Sequence, residues 1–416
     1  MLLLPSATYR AAAFLAAAAR MGVDIVVGSD EPQALASVMG DHFCEMDFAD
    51  PAAAARAIEE LAGRLPLDAV VAVDDAGAIV ASHAMELLGI GQNPTDAVRA
   101  TRDKSVMRTL LAAAHVPQPE FRTVDGSAGE AQRAAQAASE LGAPVVIKPC
   151  SLSGSRGVIR ADDLPGVEAA AQRVRAIATA AGIGPSEPLL VERFVPGAEV
   201  AVEGVLHQGV LTVLAIFDKP DPLDGPYFEE TIYITPTTLD EATQARCRRV
   251  VAQAVAALGL IAGPIHAELR LSGSQPVLIE IAARTIGGRC SKTLRFDDAS
   301  SLEEIVLAEA LGRAPSTHQH RQASGVMMIP VPASGRLLGV EGVEAALAVN
   351  LVSSVEITIP PGRMVLALPE GDRYLGFIFA RGDTSDHVEH ALRLAHGRLD
   401  VAIDTTVDED DHRAGP

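Results

Sequence analysis

Over the first 95 residues the apolar positions follow two rhythms in turn. Short apolar runs at Leu2–Leu4, Asp24–Gly28 and Asp68–Val73 read as strands, and segments near 8–20, 51–64 and 75–88 carry apolar residues at helical spacing. Strands alternating with helices predict a parallel sheet with helices on both faces. The opening MLLLPSATYR lacks a basic leader and is interrupted by Pro5 and Arg10, so it reads as strand and helix rather than as a secretion signal. No GxGxxG follows the first strand, which argues against dinucleotide binding there.

A single helix is expected from about Thr95 to Ala114, ended by His115-Val116-Pro117. Residues 118–200 then hold a strand FRTV, a helix near 128–141, a strand PVVIKP, a Ser/Gly loop, a helix near 163–181 and a strand LLVERF. Further strands, a helix near 239–258 and a hairpin run from Glu199 to about Arg313. The polar stretch RAPSTHQHRQAS (313–324) predicts a boundary, with His318 and His320 as exposed spacer residues rather than a metal pair. Beyond it VMMIPV, SVEITI and YLGFIFA read as strands and 384–396 as a helix; the acidic tail VDEDDHRAGP is expected to fray. The expected division is 1–95, 96–200, 201–313 and 325–404: an α/β domain followed by α+β units.

Composition narrows the function. Hydrophobic residues make up 48% of the 416 but aromatics only 3%, with no Trp, so small aliphatics must fill several cores. A net charge of −20 (34 basic against 54 acidic residues) excludes a general nucleic-acid or anionic-membrane surface, while allowing a local basic pocket. No apolar run reaches membrane-spanning length. Cys44, Cys150, Cys247 and Cys290 lack metal spacing and read as free thiols, which suits a cytoplasmic protein.

The most specific chemistry lies in HAELRLSGSQPVLIEIAARTIGG (266–288). It reads as a β-hairpin that brings Glu268 and Glu280 to one end of a sheet, where the two carboxylates call for a hard cation such as Mg²⁺. Arg284 adds a phosphate clamp, and Gly287 and Gly288 a bare turn. Upstream, Lys148 ends a buried strand and precedes SLSGSRGV, whose Ser153, Gly154 and Ser155 offer backbone N–H groups and hydroxyls to phosphates. Lys104 lies in the helical TRDKSVMRTLL. In LLVERFVPGAEV an apolar strand runs into Glu192, Phe194 and Val195, suited to adenine, and then Glu199, suited to ribose hydroxyls. Taken singly, these features have plain alternatives: exposed hairpin glutamates, an ordinary turn, a surface lysine.

In this order the residues resemble the ATP-grasp superfamily over about residues 90–310. The resemblance implies an ATP-grasp architecture, with an N-terminal parallel-sheet domain, two subdomains gripping ATP and a C-terminal α+β subdomain. It implies that Lys104 and Lys148 touch phosphates, that Glu192, Phe194 and Val195 line adenine, that Glu199 holds ribose, and that Glu268 and Glu280 hold Mg²⁺ (or Mn²⁺). Many members carry Asn two residues after the second acidic ligand, where this chain has Ala282.

Within the superfamily the chain resembles the L-amino acid α-ligases (dipeptide synthetases of the bacilysin-synthetase type). The match is carried by DKPDPLDGPYFEETIYITPT (218–237), by the acidic hairpin and by PGRMVLALPEGDRYLGFIFARG (361–382). That similarity implies ATP-dependent amide formation through an acyl phosphate from a small carboxylic acid and an amine, both amino acids, by a homodimer. Glu230 would bind an α-ammonium, and Tyr233 falls where the group often has His. Arg284 would bind the carboxylate and then the acyl phosphate, and Gly287 would lend a backbone N–H. Gly288 stands where a bulky aromatic can restrict the first pocket, which implies room for a larger N-terminal residue. His266 is a candidate to help deprotonate the amine; a His held within the sheet is the alternative. Two other readings stay open: a ligase joining a non-proteinogenic acid to an amine, and a non-catalytic ATP-binding protein.

Overall fold

The computed structural model describes residues 1–6, 8–31, 40–91, 93–273, 275–296, 299–315 and 322–406. His318, His320 and the acidic tail lie outside the described residues.

The N-terminal domain has the expected parallel sheet. Strands β1 (Leu2–Leu3), β2 (Val27–Ser29), β3 (Phe43–Glu45) and β4 (Val71–Ala72) lie in the order β3-β2-β1-β4, with every pair parallel. β3 was not anticipated: its FCE is short and half-polar, and only the neighbouring β2 makes it a strand. Asp74 caps the helix Asp75–Leu88 by accepting from Ala76 N at 3.2 Å, which sets Asp75 in the first turn. This domain docks on the rest of the molecule through one shared core, where Leu4, Phe14 and Val73 meet Ile286, Leu294 and Leu302.

The helix expected over 95–114 is two helices, Thr95–Arg102 and Lys104–Ala113. Asp103 between them is extended (φ −119°, ψ 104°), and its carboxylate accepts from Ser105 N and Val106 N at 2.9 and 3.2 Å. Aspartate satisfies orphan N–H groups better as a cap than it tolerates a helix interior. Lys104 therefore opens the second helix and is buried.

A small antiparallel sheet follows, made of β5 (Phe121–Val124), β6 (Val145–Pro149), β7 (Ile159–Ala161) and β8 (Leu189–Arg193) in the order β5-β8-β6-β7. Helices Glu130–Leu141 and Leu164–Ala180 cover it with alanines and valines, among them Ala134, Ala138, Ala171 and Val174.

The large sheet contains β9 (Ala198–His207), β10 (Val210–Lys219), β11 (Ile232–Thr235), β12 (Gly263–Ser272), β13 (Gln275–Ala282) and β14 (Ala323–Ile329). After β15 (Gly335–Glu341) it also takes in β16 (Val352–Ile357) and, after β17 (Met364–Val365), β18 (Gly376–Gly382). Its order is β13-β12-β9-β10-β11-β14-β18-β16, while β15 and β17 form a three-stranded sheet with β19 (Asp400–Asp404). One sheet thus runs across the polar stretch 313–324: β14 pairs with all of β11, which would otherwise be an open edge. The helix Glu241–Leu258 packs one face through Val251, Ala254 and Leu258.

Candidate active site

A cleft of about 780 Å³ lies between the small sheet, the large sheet and the N-terminal domain, and the candidate site residues from Lys104 to Gly288 line it. How each side chain is held differs from the expectations in several places.

At the small-sheet end, Glu192 on β8 is buried and ion-paired to Arg108 at 2.6 Å and Lys148 at 2.7 Å. Burial alone would raise the Glu192 pKa, but Arg108 and Lys148 outweigh it and hold the carboxylate below its usual range. Burial lowers the Lys148 pKa, and Glu192 only partly restores it. The Glu192 side chain therefore anchors two cations, and the apolar surface nearby comes from Val146, Phe194, Val195 and Ile279. Phe194 lies under two guanidiniums, Arg160 at 4.3 Å and Arg270 at 5.1 Å from the ring centre. Lys104 reaches across the cleft: its Nζ donates to Leu152 O at 2.6 Å and lies 3.3 Å from Glu280.

The loop carrying Ser153, Gly154 and Ser155 is folded over the cleft. Gly154, Ser155 and Gly157 all have positive φ (65°, 56° and 71°), the left-handed region that glycine enters freely. Glu187 Oε1 ties down its start, accepting from Cys150 N and Ser151 N, both at 3.1 Å. Gly157 N donates to Pro369 O at 2.8 Å, and Arg156 lies 3.9 Å from Asp372, so the C-terminal segment forms the opposite lip.

The large sheet supplies the floor. Glu268 and Glu280 are direct register partners on β12 and β13, 17% and 30% exposed. Behind Glu268 stand Glu199 and Glu230, and one oxygen from each of the three lies within 4.8 Å of the others. Lys219 sits in their midst, its Nζ 2.5 Å from Glu199, 2.6 Å from Glu230 and 3.2 Å from Glu268. Burial would lower the Lys219 pKa; the three carboxylates overturn this and hold it well above its usual value. Burial, followed by the charge of Glu268, pushes Glu230 up to about 7. Burial works against ionised Glu268 too, yet Lys219 and His266 keep it well below its usual range. With Lys219 filling the three-carboxylate cluster, the acidic pair fitted to a divalent ion is Glu268 with Glu280, which offers hard oxygens beside Lys104. Ala282 faces the same cleft without a donor.

Glu199, expected to hold ribose, has both oxygens engaged by cations, Oε1 by Lys219 and Oε2 by Arg270 at 2.9 Å. His266 lies 3.4 Å from Glu203 and 3.5 Å from Glu268. Burial would lower its pKa, but the two glutamates outweigh this and raise it above the usual histidine range. Both contacts are to strands of the large sheet, the arrangement of a sheet-held His. Tyr233 is buried, packing edge-on to Phe217 with ring centres 6.0 Å apart and lying 4.9 Å from Lys219 Nζ.

The loop after β13 carries Arg284, whose Nε lies 2.9 Å from Asp75. Gly288 N donates to Tyr9 Oη at 2.8 Å. Gly288 was expected to open space, but a Cβ there would lie 2.2 Å from Met328 Sδ. Met328 already takes up the room a side chain at 288 would use, and the φ of +57° independently favours glycine.

Known proteins share both the sequence and the fold. Residues 141–293 match the ATP-grasp domain model, 15–95 the ATP-grasp N-terminal domain and 327–404 the L-amino acid ligase C-terminal domain 2. D-alanine–D-alanine ligase of Desulforudis audaxviator is 31% identical over 227 residues, covering 52% of this chain and 69% of the relative. The chain belongs to the ATP-grasp superfamily. Alanine–anticapsin ligase of Bacillus subtilis is 28% identical over 247 residues, 55% of this ATP-grasp chain and 51% of the relative, so the chain spans about half of that protein's length. The crystal structure of L-amino acid ligase from Bacillus licheniformis superposes with a TM-score of 0.81 at 25% identity, over 97% of this chain and 98% of that one. Among the described residues, no helix is long and apolar enough to cross a membrane.

Several residues of this ATP-grasp cleft were missed in the sequence. Lys219 carries the signal that singled out Lys148, a lysine ending an apolar strand (VLTVLAIFDK), and was legible there. Arg108 and Arg270 lie in the same helix and strand as Lys104 and Glu268, but no local pattern marks either arginine itself. Tyr9, Arg10 and Asp75 lie far earlier in the chain than the segment Arg284–Gly288 that they touch, and only the docking of the N-terminal domain brings them in.

Proposed function

We propose that this protein is an ATP-dependent carboxylate–amine ligase that joins two L-amino acids through an acyl phosphate, releasing ADP and phosphate. One observation carries the reading: Lys104, Lys148 and Arg284 face the same cleft as the acidic pair Glu268 and Glu280, under the loop 151–157. Similarity to the alanine–anticapsin and L-amino acid ligases supports the choice of amino acids.

A carboxylate is too poor an electrophile for an amine at neutral pH. In the proposed sequence a substrate carboxylate oxygen attacks the γ-phosphorus, the bond from that phosphorus to the β-bridging oxygen breaks, and ADP leaves. Lys104 and Lys148 offset phosphate charge, and Phe194, Val195, Val146 and Ile279 offer the apolar slot for adenine. A Mg²⁺ held by Glu268 and Glu280 would supply further neutralisation of the triphosphate. Arg284 holds the reacting carboxylate, with the Gly287 N–H as a second donor. The loop 151–157 keeps water from the acyl phosphate. The amine nitrogen of the second substrate then attacks the acyl carbon, phosphate departs and the amine loses a proton. Ionised Glu230 shares its carboxylate between Lys219 and an α-ammonium, and His266 steadies Glu268.

The test is ADP and phosphate release with ATP, Mg²⁺ and pooled amino acids, with mass spectrometry of the product. A mass equal to two amino acids less water is the expected result. ATP binding without ADP formation across a broad panel of acids and amines would overturn it. Light scattering tests the homodimer that belongs to the same reading.

A further inference from the structure

We infer that Asp75, from the N-terminal domain, is a positioning residue for Arg284 and so for the reacting carboxylate; this rests on the function proposed for Arg284. The two residues are far apart in the chain but share one wall of the cleft. Asp75 Oδ2 lies 2.9 Å from Arg284 Nε, and Asp75 Oδ1 lies 2.9 Å from Arg102 Nη1. Arg284 Nη1 donates to Thr285 O at 2.9 Å. A guanidinium is planar, so holding Nε on one side and Nη1 on another fixes both the position and the tilt of the fork.

The same domain grips the backbone around Arg284. The Arg10 guanidinium donates to Val73 O at 3.0 Å, in its own domain, and to Ile286 O at 2.8 Å, across the interface. Tyr9 Oη accepts from Gly288 N at 2.8 Å. The segment Arg284–Gly288 is thus fastened at both ends by the N-terminal domain, with Asp75 on its one catalytic side chain. Through Arg102 the same carboxylate reaches the end of helix Thr95–Arg102, two residues before Lys104. One carboxylate therefore links the carriers of Lys104, assigned to phosphate charge, and of Arg284, assigned to the reacting carboxylate. The position of Asp75 in the first turn of its helix suits this, because a negative side chain is favoured there.

The experiment compares wild type, Asp75→Asn, Asp75→Glu, Arg284→Lys and the double variant Asp75→Asn/Arg284→Lys. Each full-length protein is assayed for kcat and for KM with ATP and with the pooled amino acids, beside its melting temperature. Asp75→Glu keeps the charge and the helix start but displaces the carboxylate by one methylene. We expect it to lower kcat about 10- to 100-fold, the size of a misplaced reacting group, with the KM for ATP and the melting temperature near wild type. Asp75→Asn should cost a similar factor alone but little in the Arg284→Lys background, where no Nε–H remains to be oriented. Equal factors in both backgrounds, or wild-type kcat in both Asp75→Glu and Asp75→Asn, would overturn the role of Asp75 while leaving Arg284 in place. Wild-type activity in Arg284→Lys would remove the Arg284 guanidinium from the reaction, and this inference with it.

Discussion

Glu268 and Glu280 stand directly opposite each other across the β12–β13 ladder, at the step where it slips by a bulge between Glu268 and Leu269. Both carboxylates consequently face the cleft, and like charges placed opposite on a sheet repel. Glu280→Gln relieves that repulsion but also removes the partner of Lys104 at 3.3 Å, so the decisive comparison is the response to metal. Added Mg²⁺ should raise the melting temperature of wild type and leave that of Glu280→Gln unchanged. The same variant should lose ligation. ADP release close to wild type would refute the metal assignment.

Lys219 sets one buried ammonium among three carboxylates, Glu199 buried and Glu230 and Glu268 part-buried. Lys219→Met leaves Glu199, Glu230 and Glu268 without it, and removing one side of a buried ionic group costs about 3–5 kcal/mol. Urea unfolding at neutral pH measures the loss. A change below about 1 kcal/mol would mean that Arg270 and His266 suffice, and that Lys219 does not organise the cluster.

Met328 and Gly288 should behave as one unit. A methyl group at 288 meets Met328 Sδ and must adopt φ +57°, so Gly288→Ala should destabilise the protein, and Met328→Ala in the same chain should recover part of the loss. Alone, Met328→Ala removes a wall of the cleft. It should shift relative kcat/KM toward larger substrate side chains by about 10-fold or more. An unchanged preference across a series of amino acids would place the side-chain pocket elsewhere.

The acid stability of the molecule should depend on Asp75. Burial would raise its pKa, but Arg284 and Arg102 reverse this and hold it well below the usual carboxylate range. With the folded value below the unfolded one, near 3.9, the pair's contribution is fully present above about pH 5 and is lost as pH falls toward the folded value. The difference in unfolding free energy between wild type and Asp75→Asn should be flat above about pH 5 and shrink below about pH 4. A difference independent of pH would show that Asp75 carries no such linkage.

Local order was readable from the chain itself. The alternation of short apolar runs with helical stripes marked the strands and helices of the N-terminal domain, and the hairpin 266–288 placed two acidic residues across from one another, because periodicity and a tight turn are set by near neighbours. Order along the chain was also enough to mark Lys104, Lys148, Glu268, Glu280 and Arg284 as one constellation. What tertiary structure alone decided is which charge meets which. Glu192 and Glu199 look alike in sequence, each a glutamate beside an apolar run, yet burial obliges each to take two cations, Arg108 and Lys148 for one, Lys219 and Arg270 for the other. The space at Gly288 depends on Met328 from a strand forty residues on, and the aim of Arg284 on Asp75 from another domain. A sequence states what a side chain offers; desolvation and close packing, set by distant segments meeting, choose its partner.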